Sequence, residues 1–272
     1  MLFCTILQHL QAHCITGAGN PLYCLLQKME TEEEMNRSSG IFIVFEGIDG
    51  AGKSTQVNLL SDALQRAGEW CVSSKEPTDG KWGRLLRESA TIGRLSLQEE
   101  VDTFVKDRKE HIATLINPTL AEGGIVILDR YFYSTVAYQG ARGLDVDTLD
   151  QSMRSFAPIP DVVLFIDIDS VDGLERIRIG RQESPNEFEK LDSLQAVREI
   201  FQKLAKREKE IVTIDGRQSA AQVHQDVADV LLGGVIKAKR CERSQQCGEV
   251  ACPGRVDDKC RWWKIAQGFA SD

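Results

Sequence analysis

Short apolar runs recur along the middle of the chain and predict buried β-strands. Each run is rich in β-branched and aromatic residues and is too short for a typical globular helix. Continuous apolar runs of this kind are typical of parallel strands that are covered on both faces. Five segments have this character: Ile41–Glu46, 70–74, 125–130, 162–168 and Ile211–Asp215.

Segments with apolar residues at helical spacing lie between these strands. In residues 53–68, for example, Val57, Leu60 and Leu64 lie on one helical face, and the final glycine is a helix stop signal. The alternation predicts a three-layer α/β sandwich, in which helices cover both faces of a five-stranded parallel sheet. The predicted helices are 53–68, 83–93, 99–123 with an interruption near Pro118, 171–178, 191–210 and 219–232.

The two ends of the chain lack this alternation and predict appendages on a central domain. Residues 1–39 contain a run of acidic side chains and a second possible start at Met35, so we expect a poorly ordered or dispensable extension. Residues 235–272 carry eight Lys or Arg and five Asp or Glu residues, which makes this tail basic. The central domain is predicted to span residues 40–234.

The composition narrows the possible functional classes. Hydrophobic residues make up 42% of the 272-residue chain and charged residues 27%, as in ordinary globular proteins. The net charge of −8 argues against a dedicated nucleic-acid-binding surface, which needs clustered basic residues. No segment approaches the roughly 20 apolar residues of a membrane span, and the short apolar start lacks the basic region of a signal peptide. We therefore expect a cytoplasmic protein with neither a membrane nor a nucleic acid as partner.

A complete phosphate-binding motif follows the first predicted strand. Residues 47–54 match G-x-x-x-x-G-K-[ST] in full, and a predicted helix follows directly. The glycines allow a tight turn whose backbone N–H groups point at phosphate oxygens, and the helix N-terminus attracts anions. Lys53 is predicted to bridge the β- and γ-phosphates, and the Ser54 hydroxyl to bind Mg²⁺. The expected ATP-binding residues are Gly47, Ile48, Asp49, Gly50, Ala51, Gly52, Lys53, Ser54 and Thr55.

Asp129 follows the apolar residues 125–128 of another predicted strand, where P-loop enzymes place a carboxylate that holds the Mg²⁺ shell. A single Asp at a strand end is also typical of a solvated or helix-capping residue. Its combination with a complete phosphate loop favours the metal-binding role.

Four segments of the chain resemble the thymidylate kinase family. They are FEGIDGAGKST at 45–55, KEPTDG at 75–80, Phe104 with Arg108 four residues later, and DRYFYSTVAYQG at 129–140. The resemblance implies a P-loop kinase that transfers the γ-phosphate of ATP to dTMP, uses Mg²⁺ and forms a homodimer. It covers the central domain and reaches neither end of the chain.

The resemblance also implies the contacts of a dTMP site. Phe104 stacks on thymine and Arg108 bonds a base carbonyl, and their spacing puts both side chains on one helix face. Lys75 stands where the family usually has arginine, so it keeps the charge but loses the bidentate fork. Tyr138 crowds the sugar 2′ position against ribonucleotides. The implied dTMP-binding residues are Asp49, Lys75, Pro77, Phe104, Arg108, Arg130, Ser134, Thr135 and Tyr138.

A short arginine-rich segment after the fourth predicted strand resembles the family's mobile lid. Some members place an arginine in the phosphate loop, whereas others have glycine there and supply arginines from the lid. Gly50 makes this sequence similar to the second type. We expect the lid to close over ATP and exclude water. The lid candidates are Arg176, Arg178 and Arg181, and the expected catalytic residues are Lys53, Asp129, Arg130 and Arg181.

Four cysteines in the tail are candidate metal ligands. As thiolates they could hold Zn²⁺ or an iron–sulfur cluster. The familiar C-x-x-C pairs are absent, so inert thiols and disulfides stay as alternative interpretations. The four are Cys241, Cys247, Cys252 and Cys260.

Several functions are compatible with a phosphate loop, and a dTMP kinase is the main hypothesis. A kinase of another nucleoside monophosphate would need a different base pocket. A regulatory GTPase would need the guanine-binding motif N-K-x-D, which the sequence lacks. An inactive nucleotide-binding protein that acts through its tail is a further alternative, against which the intact Lys53, Asp129 and Arg130 argue.

Overall fold

The structure is a computed structural model that describes residues 40–181 and 191–235. The predicted extension, the tail cysteines, the centre of the predicted lid and the Arg181 side chain lie outside the described residues. The three-part domain organisation and the metal hypothesis for the tail therefore stay predictions.

Five strands form one sheet among the described residues. Their bounds are β1 Ile41–Glu46, β2 Cys71–Lys75, β3 Ile125–Asp129, β4 Val162–Asp167 and β5 Ile211–Asp215. Every neighbouring pair is parallel, and the order is β2-β3-β1-β4-β5. This confirms the predicted five-stranded parallel sheet. All six residues of the central strand β1 are buried, as expected for a strand that is covered on both faces.

Helices connect the strands and cover the sheet. They are α1 Lys53–Arg66, α2 Lys81–Ile92, α3 Leu97–His111, α4 Asn117–Ala121, α5 Phe132–Gly140, α6 Val146–Arg154, α7 Ser170–Arg181, α8 Leu191–Arg207 and α9 Ala220–Gly233. One group, α1 with α9, packs together against the sheet, and a second group is formed by α3, α5, α6 and α8. No helix in the described ranges is long and apolar enough to cross a bilayer.

The strand register brings the candidate site residues to one edge of the sheet. Asp129 at the end of β3 is the register partner of Phe45 in β1 and of Lys75 in β2. The loops that follow these three strands therefore leave the sheet side by side. In open parallel sheets, this carboxyl edge is where ligands bind.

The helices α5 and α6 are missing from the sequence-based prediction. A local signal for α6 exists, because Asp145 is its N-cap and accepts a hydrogen bond from the Thr148 N–H at 2.8 Å. Helix α5 has no such signal, since Tyr131 at its N-cap makes no side-chain capping bond. The N–H groups of Tyr131 and Ser134 donate instead to Glu46 of β1, a long-range contact that no local pattern reveals.

The predicted helix interruption near Pro118 takes the form of a π-helical turn. This turn, Ile112–Ile116, lies between α3 and α4, and the Asn117 N–H donates to the Ile112 carbonyl. Proline has no N–H and its ring crowds the carbonyl four residues back, so the helix adjusts before it.

Candidate active site

A cavity of about 1160 Å³ opens at the carboxyl edge of the sheet. The phosphate loop, the loops after β2 and β3, and parts of α2, α3, α5, α7 and α9 form its wall. The fold thus brings together most of the residues that the sequence singled out. Those lining the cavity are Asp49, Gly50, Ala51, Gly52, Lys53, Ser54, Thr55, Lys75, Pro77, Phe104, Arg108, Asp129, Arg130, Ser134, Thr135, Tyr138 and Arg176.

The phosphate loop joins β1 to α1 through three glycines in the left-handed region. The φ angles are 145° at Gly47, 81° at Gly50 and 92° at Gly52, which L-residues with a side chain rarely adopt. The Lys53 Nζ donates to the carbonyl oxygen of the buried Ile48 at 2.8 Å and so lies against the loop. The loop therefore has the shape and the charge of an anion site.

The pKa of Lys53 stays compatible with a positive charge in this setting. Burial and the nearby Arg130 lower it to about 8, while the Asp129 carboxylate acts in the opposite direction. Because this value lies above 7, the amine keeps its proton at neutral pH.

Gly50 lies in backbone contact with the first turns of α7. A Cβ on Gly50 would lie 2.1 Å from the Gly173 carbonyl oxygen, and a Cβ on Gly173 would lie 2.8 Å from the Asp49 carbonyl oxygen. Two glycines thus allow the phosphate loop and α7 to touch. An arginine at position 50 would require α7 to move, which is a physical reason for glycine there.

Ser54 and Asp129 meet beside the phosphate loop, although 75 residues separate them along the chain. The Ser54 hydroxyl donates to the Asp129 carboxylate. Hydroxyl and carboxylate oxygens are ligands that suit Mg²⁺, which usually keeps several waters or phosphate oxygens in its shell. The pair fits that cation. In the described ranges, no group of three or more His, Cys, Asp or Glu residues could hold a metal by itself.

Arg130 connects the phosphate loop to α5. Its Nη2 donates to Asp49 at 2.7 Å and to the Tyr138 hydroxyl at 3.2 Å, and its Nη1 donates to the Ser134 hydroxyl at 2.9 Å. The Tyr138 hydroxyl in turn donates to Asp49 at 2.9 Å. The φ of Arg130 is 70°, a left-handed conformation that is uncommon outside glycine. The surroundings thus hold the guanidinium in one place despite an unfavourable backbone.

Asp49 carries a negative charge within this network. Burial raises the pKa of its carboxyl, but the charges of Arg130 and Lys53 outweigh burial and bring it to about 2. Two cations, Lys53 and Arg130, therefore line the cavity at this point beside two carboxylates, Asp49 and Asp129.

The cavity wall also contains Phe104 and Arg108 on α3. Arg108 is 1% exposed, and its guanidinium lies 2.7 Å from the equally buried Glu76. It also donates to the Thr135 hydroxyl of α5 at 3.1 Å. A buried cation held by two partners is positioned before any ligand arrives.

The loop after β2 is fixed to α3 by buried polar contacts. Glu76 lies 3.1 Å from His111 Nδ1, and Asp107 accepts from both the N–H and the hydroxyl of Thr78, at 2.8 and 2.6 Å. Lys75 by contrast lies at the rim, 55% exposed and 3.2 Å from Asp79. Its ammonium is therefore close to solvent.

Comparison with known proteins identifies the family of this chain. The family model described as Thymidylate kinase matches residues 45–227. The chain belongs to the thymidylate kinase family. A protein named Thymidylate kinase from Xanthomonas campestris pv. campestris (strain B100) is 48% identical over 201 residues, which are 72% of this chain and 88% of that protein. Another of that name, from Xylella fastidiosa (strain M23), is 49% identical over 173 residues, 64% of this chain and 79% of the relative.

The lid arginines expected from the thymidylate kinase family differ in where they lie. Arg176 lines the cavity and donates to the Gly216 carbonyl oxygen at 3.0 Å. Arg178 is exposed on α7, and among the described residues it is not part of the cavity wall. The side chain of Arg181 lies outside the described residues. Their contacts with ATP stay predictions.

Gln139 is a site residue that the sequence analysis missed. It is fully buried on α5 and lines the cavity, and neither its Nε2 nor its Oε1 has a hydrogen-bond partner among the described residues. Buried amides normally have partners, so this one is free for a ligand. Its position next to Tyr138 in the segment that resembles the thymidylate kinase family was an available signal.

Glu100 was missed as well. It is 1% exposed, lines the cavity and is paired with Arg142. The signal was its spacing, because Glu100, Phe104 and Arg108 follow one another at four-residue steps on α3.

Proposed function

We propose that this chain is a thymidylate kinase, which transfers the γ-phosphate of ATP to dTMP and releases ADP and dTDP. The observation that carries the proposal is one cavity whose wall contains two chemically different groups of residues. We call the phosphate loop the phosphate end and Phe104 with Arg108 the base end. Arg130 contacts the loop, and Thr135 on the following helix contacts Arg108, so the two ends are connected. Family membership supports the same assignment.

The size of the cavity supports the presence of two substrates. A pocket for one small ligand typically has a volume of about 300–1000 Å³. The cavity here, at about 1160 Å³, exceeds that range. Two nucleotides that meet at their phosphates would use such a volume.

The phosphate end consists of the phosphate loop and the start of α1, and it binds ATP. Backbone N–H groups of residues 47–55 hold the phosphates, and Lys53 bridges the β- and γ-phosphates. Gly47 and Ile48 shape the loop through their carbonyl groups, which accept from Arg130 and Lys53. Ser54 and Asp129 would hold Mg²⁺. When bound, this cation neutralises the phosphate charge that develops during transfer.

The base end is part of the dTMP site, which recognises the base, the sugar and the phosphate separately. Phe104 stacks on thymine, while Arg108 and the amide of Gln139 bond its polar edge. Ser134 and Thr135 line the same edge, and Tyr138 occupies the space beside the sugar 2′ position. Lys75 and Pro77 border the acceptor phosphate, and Asp49 lies near the sugar 3′-hydroxyl.

Arg130 is the central catalytic residue in this proposal. Its guanidinium lies where the two phosphate chains meet, and a loose, metaphosphate-like group is stabilised by a fixed cation. Arg176, Arg178 and Arg181 close over ATP from the lid, and closure excludes water.

The assembly is proposed to be a homodimer, with residues 1–39 and 235–272 as appendages. The resemblance to the family supports the dimer. Static light scattering of the purified full chain tests it, and a monomeric mass would contradict it.

An acceptor profile tests the function directly. A coupled assay measures ADP release with ATP and Mg²⁺ and, in turn, dTMP, dCMP, dGMP, CMP and GMP. We expect turnover with dTMP, and loss of that turnover in Lys53→Ala shows that it belongs to this site. Turnover with CMP or GMP but not with dTMP would contradict the proposal.

A further inference from the structure

The most deeply buried carboxylate near the site belongs to Glu46, and the roles assigned so far leave it out. Glu46 is the last residue of the central strand β1 and has no exposed surface. A charged carboxylate in this position is unfavourable unless hydrogen bonds compensate for the lost water.

The hydrogen bonds to the Glu46 carboxylate come from the beginning of α5. Its Oε1 accepts from the Tyr131 N–H at 2.8 Å and from the Ser134 N–H at 3.1 Å, and its Oε2 accepts from the Ser134 hydroxyl at 2.6 Å. Tyr131 is the N-cap of α5 and makes no capping bond of its own. One carboxylate from β1 therefore does for α5 what a capping box does in other helices.

The same contacts reach Arg130 by two routes. Arg130 directly precedes Tyr131, so the bond to the Tyr131 N–H constrains the peptide that follows its left-handed backbone. The Ser134 hydroxyl, which donates to Glu46, also accepts from Arg130 Nη1 at 2.9 Å. Glu46 thus limits both the backbone and the side chain of Arg130 without touching its guanidinium.

Opposing effects act on the pKa of the Glu46 carboxyl. Burial raises the pKa of its carboxyl to about 7, while the hydrogen bond from Ser134 and the charge of Arg130 act against burial.

We propose that Glu46 is a positioning residue for phosphoryl transfer, which orients Arg130 towards the phosphates through Tyr131 and Ser134. The inference rests on the proposed function, because it assigns Arg130 to that reaction. It adds to that function a residue that affects the reaction without contacting either substrate.

The test compares Glu46→Gln with wild type in steady-state kinetics. The amide keeps the shape and can accept from the two N–H groups, but its NH₂ group cannot accept from the Ser134 hydroxyl. We expect kcat to fall about 10- to 100-fold, the size of effect that a small misplacement of a catalytic group produces. KM for ATP and KM for dTMP should change less than about threefold.

A double-mutant cycle separates positioning from a general structural role. If Glu46 acts through Arg130, Glu46→Gln should lower kcat less than about twofold in an Arg130→Ala background. Equal losses in the two backgrounds would overturn the proposal, as would a Glu46→Gln variant with wild-type kcat. Ser134→Ala, which breaks only the side-chain route, repeats the cycle if Glu46→Gln does not fold.

Glu210→Gln is the matched control. Glu210 accepts from the Tyr133 hydroxyl on the same helix at 2.8 Å, but it is not part of the cavity wall among the described residues. Its kcat should stay within about twofold of wild type. Absence of wild-type dTMP turnover would instead overturn the proposed function, so the two failures are distinguishable.

Discussion

The two ends of the cavity achieve recognition in different ways. At the phosphate end, the anion site is a continuous loop of backbone N–H groups, and its ion pair is partly open to solvent: the Arg130 and Asp49 side chains are 16% and 22% exposed. At the base end, three separate elements contribute, and the Arg108 and Glu76 side chains are only 1% and 2% exposed. Under the proposed function, the phosphate end would suit any nucleotide, and the base end would determine which acceptor is bound.

The two ends also differ in the free energy that the loss of one contact costs. A backbone loop tolerates loss of one contact, because several N–H groups share the anion. A desolvated ion pair does not, since removal of one partner leaves the other charge buried and uncompensated. Substitutions at the phosphate end should therefore change catalysis, and substitutions at the base end should change both binding and stability.

The largest expected effect comes from Arg130→Ala. Loss of this fixed cation should lower kcat about 1000-fold, because the charge on the transferred group loses its stabilising partner. Circular dichroism should show a retained fold. Arg207→Ala is the control: its exposed side chain pairs with Asp147 and Glu208, and kcat should stay within about twofold. A kcat within about tenfold of wild type for Arg130→Ala would remove the proposed role.

Arg108→Met tests the base end and should have the second largest effect. We expect KM for dTMP to rise about 10- to 100-fold, because a charged hydrogen-bond donor is lost. The free energy of unfolding should fall by about 3 kcal/mol, because Glu76 is left buried without its main partner. The double variant Arg108→Met, Glu76→Gln should recover stability but not the KM. Recovery of both would contradict a direct contact with the base.

Gly50→Ala tests whether ATP binding depends on the close contact between the phosphate loop and α7. The new Cβ would clash with the Gly173 carbonyl at a left-handed φ of 81°, so the loop must shift. KM for ATP should rise about tenfold while KM for dTMP stays unchanged. Gly143→Ala is the matched control, because its φ is 104° but nothing lies within 4 Å of the added Cβ. It should lose about 1 kcal/mol of stability without a change in either KM.

Gln139→Leu should have the smallest effect on the kinetics, and it should not lower the melting temperature. The buried amide has no partner within the described ranges, so the apolar side chain should leave the melting temperature unchanged or raise it. KM for dTMP should rise about 3- to 10-fold, because one neutral hydrogen bond to the base is lost. A lower melting temperature together with an unchanged KM would show that Gln139 has a packing role instead.

The sequence was a good guide where the signal is local. The buried runs predicted all five strands, with bounds that differ by at most one residue, because a central parallel strand must be apolar throughout. The phosphate-loop motif was recognised in full, since it lies within eight consecutive residues. Phe104 and Arg108 were expected on one helix face because their spacing corresponds to one helical turn, and both line the cavity from α3.

The sequence was a poor guide where contacts join distant segments. Helix α5 is capped by a residue some 85 positions away, and its own composition gives no helical start signal. The roles of Glu46 and Gln139 escaped notice for the same reason. Burial and the presence or absence of a partner are properties of the folded chain.

The sequence by itself therefore determined the sheet, the phosphate loop and the family, since the signal for each comes from residues that are adjacent or one helical turn apart. Only the tertiary structure decided how Arg130 is held, which buried polar group is left for a ligand and why position 50 is glycine. Those features depend on the desolvation and packing of groups that come together only when the strands align.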